Sequence, residues 1–217
     1  DGVLVAKEGK TLIPSVPATT INQFDCAPVS VQDLSIQKDD YPSQNGLIPV
    51  IEALDGQLIT NKLELTGKLL NNEWVTDTAQ DILKMVVVNR YHQATVAKCF
   101  IRNFGFKHGA IASSVAHDSH NIVAVGVDDA ALAAAINLVI AEKGGVSCYV
   151  NDEQYHVLGL PVAGLMSTSD GYKVAEAYTT IDAMAKSLGS KLQAPFMTLS
   201  FMALLVIPHL KLSDKGL

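Results

Sequence analysis

Apolar and polar positions divide this chain into three stretches. Residues 2–6 are apolar and β-branched, Lys7-Glu8-Gly9-Lys10 is turn chemistry, and residues 11–13 are apolar again, which predicts a β-hairpin. The pattern then dissolves. Pro14, Pro17, Pro28, Pro42 and Pro49 exclude one long helix or a central strand. Residues 14–46 therefore read as an extended linker along the surface, with at most short edge strands around Ile21 and residues 34–36. From residue 47 onward the pattern is that of a folded domain. Strands are predicted at 48–54 and 58–65 around Asp55-Gly56, with a further strand edge at 67–74 that turns at Asn71-Asn72. Residues 82–88, 95–104, 109–115 and 122–127 are short runs rich in apolar residues, several of them dense in β-branched types, and read as strands, that at 82–88 as a buried one.

Two helices carry clear signals. Asp128 caps the first, Leu132, Ile136, Val139 and Ile140 share a face, and Lys143-Gly144-Gly145 stops it. Residues 147–150 and 155–160 flank Asn151-Asp152-Glu153 as a hairpin. Asp170 opens the second helix, whose stripe is Val174, Tyr178, Ile181, Ala185 and Leu188, and Gly189 ends it. Residues 195–212 are apolar nearly throughout; periodicity does not separate helix from strand there, and burial is expected. The fold class predicted is α+β, with mixed or antiparallel sheets packed with a few helices behind a short β-hairpin and an extended linker. The divisions are 1–13, 14–46 and 47–217.

Composition narrows the function class. Hydrophobic residues are 48% of the 217 and charged ones 18%, which excludes a disordered chain. A net charge of −6 argues against nucleic acid as a partner. Cys26, Cys99 and Cys148 are scattered and contain no C-x-x-C pair, so a disulfide scaffold or zinc knuckle is not expected and a reducing cytoplasm is. The longest apolar run, 201–208, falls far short of the roughly twenty residues a membrane span needs. The chain opens Asp1-Gly2 with no leader pattern, which reads as a trimmed fragment.

Chemistry concentrates at residues 109–123, where Ser113-Ser114-Val115-Ala116-His117-Asp118-Ser119-His120-Asn121 joins two apolar strands. If the segment is extended, Asp118 and His120 share a face and the carboxylate could orient the imidazole. If it turns, His117 and His120 come together and could share a metal. The plainer reading is that these side chains only fix a tight connection. His92, His108, His156 and His209 read as rim, turn or strand residues. The cysteines have no basic neighbours that would mark a nucleophile. Elbow, Walker, Rossmann and cytidine-deaminase signatures do not occur.

The run Gly-Ala-Ile-Ala-Ser-Ser-Val-Ala-His-Asp-Ser-His-Asn-Ile at 109–122 resembles the C-terminal region of bacterial adenine deaminases of the amidohydrolase superfamily. Gly164-Leu165-Met166-Ser167 and Pro195-Phe196-Met197-Thr198-Leu199-Ser200-Phe201 resemble it too, in the same order. The likeness runs from about Gly46 to the end, and residues 2–13 are similar to the end of the small β-domain that flanks the barrel in amidohydrolases. Leu205 and His209 depart from the pattern, where proline and an acidic residue are usual.

The resemblance implies a larger, cytoplasmic purine-salvage enzyme that hydrolyses adenine to hypoxanthine and ammonia with a water activated by a divalent metal (Mn, Fe or Zn) inside a (β/α)₈ barrel. No metal ligand is expected in this chain, and the missing barrel domain, adenine and further copies in a homo-oligomer are its expected partners. His117, Asp118 and His120 are then candidates for a catalytic contribution, and Ser114, Ser119 and Asn121 for substrate binding. Two other roles stay open: a purely structural or oligomerisation domain, and an independent small-molecule-binding module.

Overall fold

The computed structural model describes residues 2–14, 16 and 19–217; Asp1, and Pro17 of the proline-rich stretch, lie outside them. The predicted hairpin is there, though shorter. β1 (Ala6–Lys7) pairs antiparallel with β2 (Lys10–Thr11) around Glu8 and Gly9. Both turn residues have positive φ, the twist that a two-residue hairpin turn requires.

Residues 19–46 differ from expectation. No edge strand forms at Ile21 or at 34–36. A single helical turn, α1 (Val31–Leu34), stands there, with the Ser30 hydroxyl accepting from the Asp33 amide and the Asp33 carboxylate accepting from the Ser30 amide. Four residues are too few to show a period, so only the Ser-x-x-Asp signal announces this turn. The stretch is largely extended, but Val29, Leu34, Ile36 and Tyr41 are buried, which anchors it to the core.

The body of the fold is a sheet of β3 (Leu47–Ala53), β4 (Thr60–Thr66), β7 (Leu83–Val88), β8 (Ala97–Arg102), β9 (Ala110–Ser113), β10 (Ile122–Gly126), β11 (Gly145–Asn151) and β12 (Gln154–Gly159). Its order is β12-β11-β9-β10-β7-β8-β3-β4, antiparallel except between β3 and β8. Pro49 sits inside β3, just outside the parallel register that runs from Val50↔Phe100 to Glu52↔Arg102, so its missing N–H is not demanded there. A separate ribbon of β5 (Lys68–Leu70) and β6 (Glu73–Val75) turns at Asn71-Asn72 as predicted.

Helices cover both faces of the sheet, which explains why its central strands read as continuous apolar runs rather than as alternation. Val86, Val88, Ala110, Ala112, Ile122 and Ala124 face α2 (Asp129–Ala141). Their alternate neighbours Met85, Val87, Ile111, Val123 and Val125 belong to the opposite core beneath α3 (Gly171–Ser187) and α4 (Pro195–Ser200). The caps are those predicted: Asp128 accepts from the Ala131 amide, and Asp170 from the Tyr172 and Lys173 amides. The undecided tail resolves into α4 followed by irregular turns. Burial there is incomplete: Met202 and Leu212 are enclosed, whereas Leu205 and Val206 are 62% and 74% exposed.

Candidate functional site

The connection between β9 and β10 turns rather than extends. At its start Ser114 is fully buried. Its hydroxyl accepts from the Gly145 amide at 2.8 Å and donates to the Gly164 carbonyl at 2.6 Å. The His117 amide donates to the Ser200 carbonyl at the end of α4 (3.0 Å), and the His120 amide donates back to Ala116 (2.7 Å), which closes the turn. Asn121 is buried at the exit. Its Oδ1 accepts from the Arg90 amide at 3.3 Å and its Nδ2 donates to Ser119 Oγ at 3.3 Å. Asp118 and Ser119 are exposed at the tip.

This geometry brings His117 and His120 together, their rings edge to face with centroids 5.8 Å apart. His117 also stacks on Phe201 at 5.0 Å. Among the described residues no hydrogen bond joins Asp118 to His120. Instead, Nδ1 of His120 is buried without a partner. Burial, then the neighbouring His117, then Arg90 hold the basicity of His120 below the usual imidazole range, with Asp118 opposing them. The ring therefore favours its neutral form near pH 7, and its enclosed Nδ1 has no partner among the described residues. Its backbone has φ +52, a left-handed conformation that side chains seldom adopt outside constrained sites.

His117 alone of the three candidates also lines a cleft of about 410 Å³ between α3, α4 and the β11–β12 edge, with Val115, Tyr178, Phe196 and Met197. The cleft is open and apolar. The remaining histidines stand apart: His92, His108 and His209 are exposed, and His156 is half-buried on β12. Burial raises the thiols of Cys99 and Cys148, the latter to about 12, which makes them inert. No group of three or more His, Cys, Asp or Glu able to hold a metal occurs among the described residues, and no helix among them is long and apolar enough to cross a membrane.

Sequence reasoning missed Arg90 and Tyr91. They lie just past β7, where the Arg90 amide reaches Asn121 and the Tyr91 hydroxyl reaches Ser119. The available signal was an arginine two positions past a strand that is buried along its whole length.

Fold and site together define an α+β domain that presents a paired-imidazole loop on a sheet covered from both sides. The chain belongs to the adenine deaminase C-terminal domain family, whose model matches residues 57–217. It is similar over its full length to proteins named adenine deaminase: 48% identical to that of Sulfurovum sp. (strain NBC37-1), 48% to that of Salinibacter ruber and 43% to that of Borreliella burgdorferi. It spans 38%, 39% and 39% of their respective lengths.

Proposed function

We propose that this chain is the C-terminal portion of a metal-dependent adenine deaminase and that its loop 117–121 helps to complete the active site of the full-length protein. The reaction would be adenine plus water to hypoxanthine plus ammonia, with a C–O bond formed and the exocyclic C–N bond broken at the same carbon. The divisions 1–13, 14–46 and 47–217 belong to this reading, as do a cytoplasmic setting and association of further copies.

A divalent metal (Mn, Fe or Zn) would supply the activated water, but the described residues of this chain do not fit it. Two imidazoles without a third donor are short of the three protein ligands a hydrolytic metal usually takes. The metal therefore belongs to the catalytic barrel outside this chain. What this chain offers is hydrogen bonding. The observation that carries the reading is His120: a neutral imidazole with an unpartnered ring nitrogen, held in a left-handed conformation beside a second imidazole. Its Nδ1 is enclosed, so the half-buried ring would meet a purine edge through its other nitrogen, accepting or donating there. Asp118 and Ser119 are exposed at the tip, while Ser114 and Asn121 are buried at the two ends of the loop.

The test is kinetic. In the full-length enzyme, His117→Ala and His120→Ala should each lower kcat/KM for adenine by about tenfold or more, the loss of ~1.4 kcal/mol of transition-state binding. Unchanged turnover and affinity in both variants would sink the reading. They would favour a structural cover, for which the exposed Leu205, Val206 and the apolar hairpin residues Val3, Leu4 and Ile13 speak.

A further inference from the structure

Arg90 is buried, and among the described residues no carboxylate pairs with its guanidinium. It is 4% exposed, and every acceptor it reaches is neutral. Nη1 donates to Asn22 Oδ1 at 3.1 Å and to the Gln23 carbonyl at 3.2 Å. Nη2 donates to the Tyr91 hydroxyl at 3.1 Å and to the Ala163 carbonyl at 2.8 Å. Nε is buried with no partner. The faces of Tyr91 and Phe24, with centroids 4.6 and 5.6 Å from the guanidinium carbon, return part of the lost hydration. A cation in such a place still costs more than an apolar side chain of similar volume. Its retention needs a reason beyond filling space.

The reason lies in what the pair grips. The Tyr91 hydroxyl donates to the Ser119 carbonyl at 2.7 Å, and the Arg90 amide donates to Asn121 Oδ1 at 3.3 Å. Residues 119 and 121 are thus fixed on either side of His120. Gly164 makes room for the guanidinium: its φ is +70, and a Cβ there would stand 2.6 Å from Arg90 Nη1. The same glycine receives the Ser114 hydroxyl bond. The loop is therefore held from both ends by one cluster, which also ties down the Asn22-Gln23 segment.

We propose that Arg90 and Tyr91 are a positioning pair for His120, clamping residues 119 and 121 so that the imidazole is set toward the purine bound by the full-length protein. This rests on the reading of loop 117–121 given above. Neither residue touches substrate; Tyr91 acts through the Ser119 carbonyl, the Arg90 guanidinium through the Tyr91 hydroxyl to which it donates, and the Arg90 amide through the Asn121 side chain.

A double-mutant cycle in the full-length enzyme tests it. Tyr91→Phe removes only the hydroxyl and should lower kcat about fivefold, the equivalent of one hydrogen bond at ~1 kcal/mol, with KM within about twofold. In a His120→Ala background the same change should alter kcat by less than about 1.5-fold, because the group being positioned is gone. Arg90→Lys keeps the charge but not the fork, and it should repeat the pattern. It carries the test if Tyr91→Phe lowers the melting temperature appreciably. Equal losses with and without His120, or no loss in either variant while His120→Ala slows turnover, would overturn the pair and leave the loop reading standing. If His120→Ala leaves turnover and affinity at native values, the pair falls, and if His117→Ala does so as well, the loop reading falls with it.

Discussion

Two enclosed lysines show how local partners decide the fate of a charge. Lys84 on β7 reaches the Asp129 carboxylate at 2.5 Å and the Leu34 carbonyl at 2.8 Å, so its ammonium ties α1 to the start of α2. Lys211 is 6% exposed but among the described residues bonds only to the Leu58 carbonyl, at 2.7 Å, and burial pulls its ammonium down to about 8. The folded chain thus releases this proton more readily than the unfolded chain, whose lysine titrates near 10.5. Below pH 8 the folded state carries a poorly solvated charge. From pH 8 to 10.5 the unfolded state binds the extra proton, so this group makes stability rise with pH in that window. Lys211→Met should raise the melting temperature at pH 7 by roughly 2–4 °C, what ~1 kcal/mol is worth in a chain of this size, and should flatten the rise between pH 8 and 10. Thermal scans of both proteins across that range check it; an unchanged slope would mean that Lys211 keeps its proton throughout. The released Leu58 carbonyl is no obstacle, since Leu58 is 43% exposed and water can reach it.

At the level of elements, the strands around the histidine loop depend on one hydroxyl. Ser114 joins the end of β9 to Gly145 at the start of β11 and to Gly164 in the turn beyond β12. Ser114→Ala would leave the Gly145 amide without its acceptor in a buried place, at a cost of roughly 2 kcal/mol. That corresponds to a melting temperature lower by about 4–8 °C, read by calorimetry. A shift under about 1 °C would mean that water replaces the hydroxyl. Elements were legible in the sequence where a single residue type forced them. Asp128 and Asp170 announced α2 and α3, and the β-branched runs announced β7 and β10, because burial on both faces demands unbroken apolar composition. The order of the strands was not legible. Nothing local places β9 between β10 and β11, or turns β3 parallel to β8; those pairings are set by long-range packing. The loop was legible as a cluster, and its turn was left open as an alternative. The clamp beneath it was not, because Arg90 and Tyr91 meet Ser119 and Asn121 only across the sheet, about thirty positions away.

For the whole molecule, the question is where the chemistry resides. A sheet of eight strands, covered by α2 on one face and by α3 and α4 on the other, has a largely apolar interior. The titratable cluster sits outside that interior, on a connection at one end of the strands. It holds two imidazoles and one exposed carboxylate that does not bond to them, which is enough to contact a substrate and too little to anchor a hydrolytic metal. The 217 residues are therefore expected to show no adenine deamination when supplied with Mn²⁺, Fe²⁺ or Zn²⁺, and the full-length protein is expected to turn over. Ammonia release from adenine, measured for both proteins side by side, decides the matter. Activity in the shorter chain would place a metal at His117 and His120 and make the barrel dispensable. Silence there, together with a slowed full-length His120→Ala variant, would mean that the barrel performs the hydrolysis while this domain supplies one wall of the pocket. In that event the two covered faces of the sheet serve a single end: they make the platform rigid enough that a loop of five residues keeps its imidazoles in place when the purine arrives.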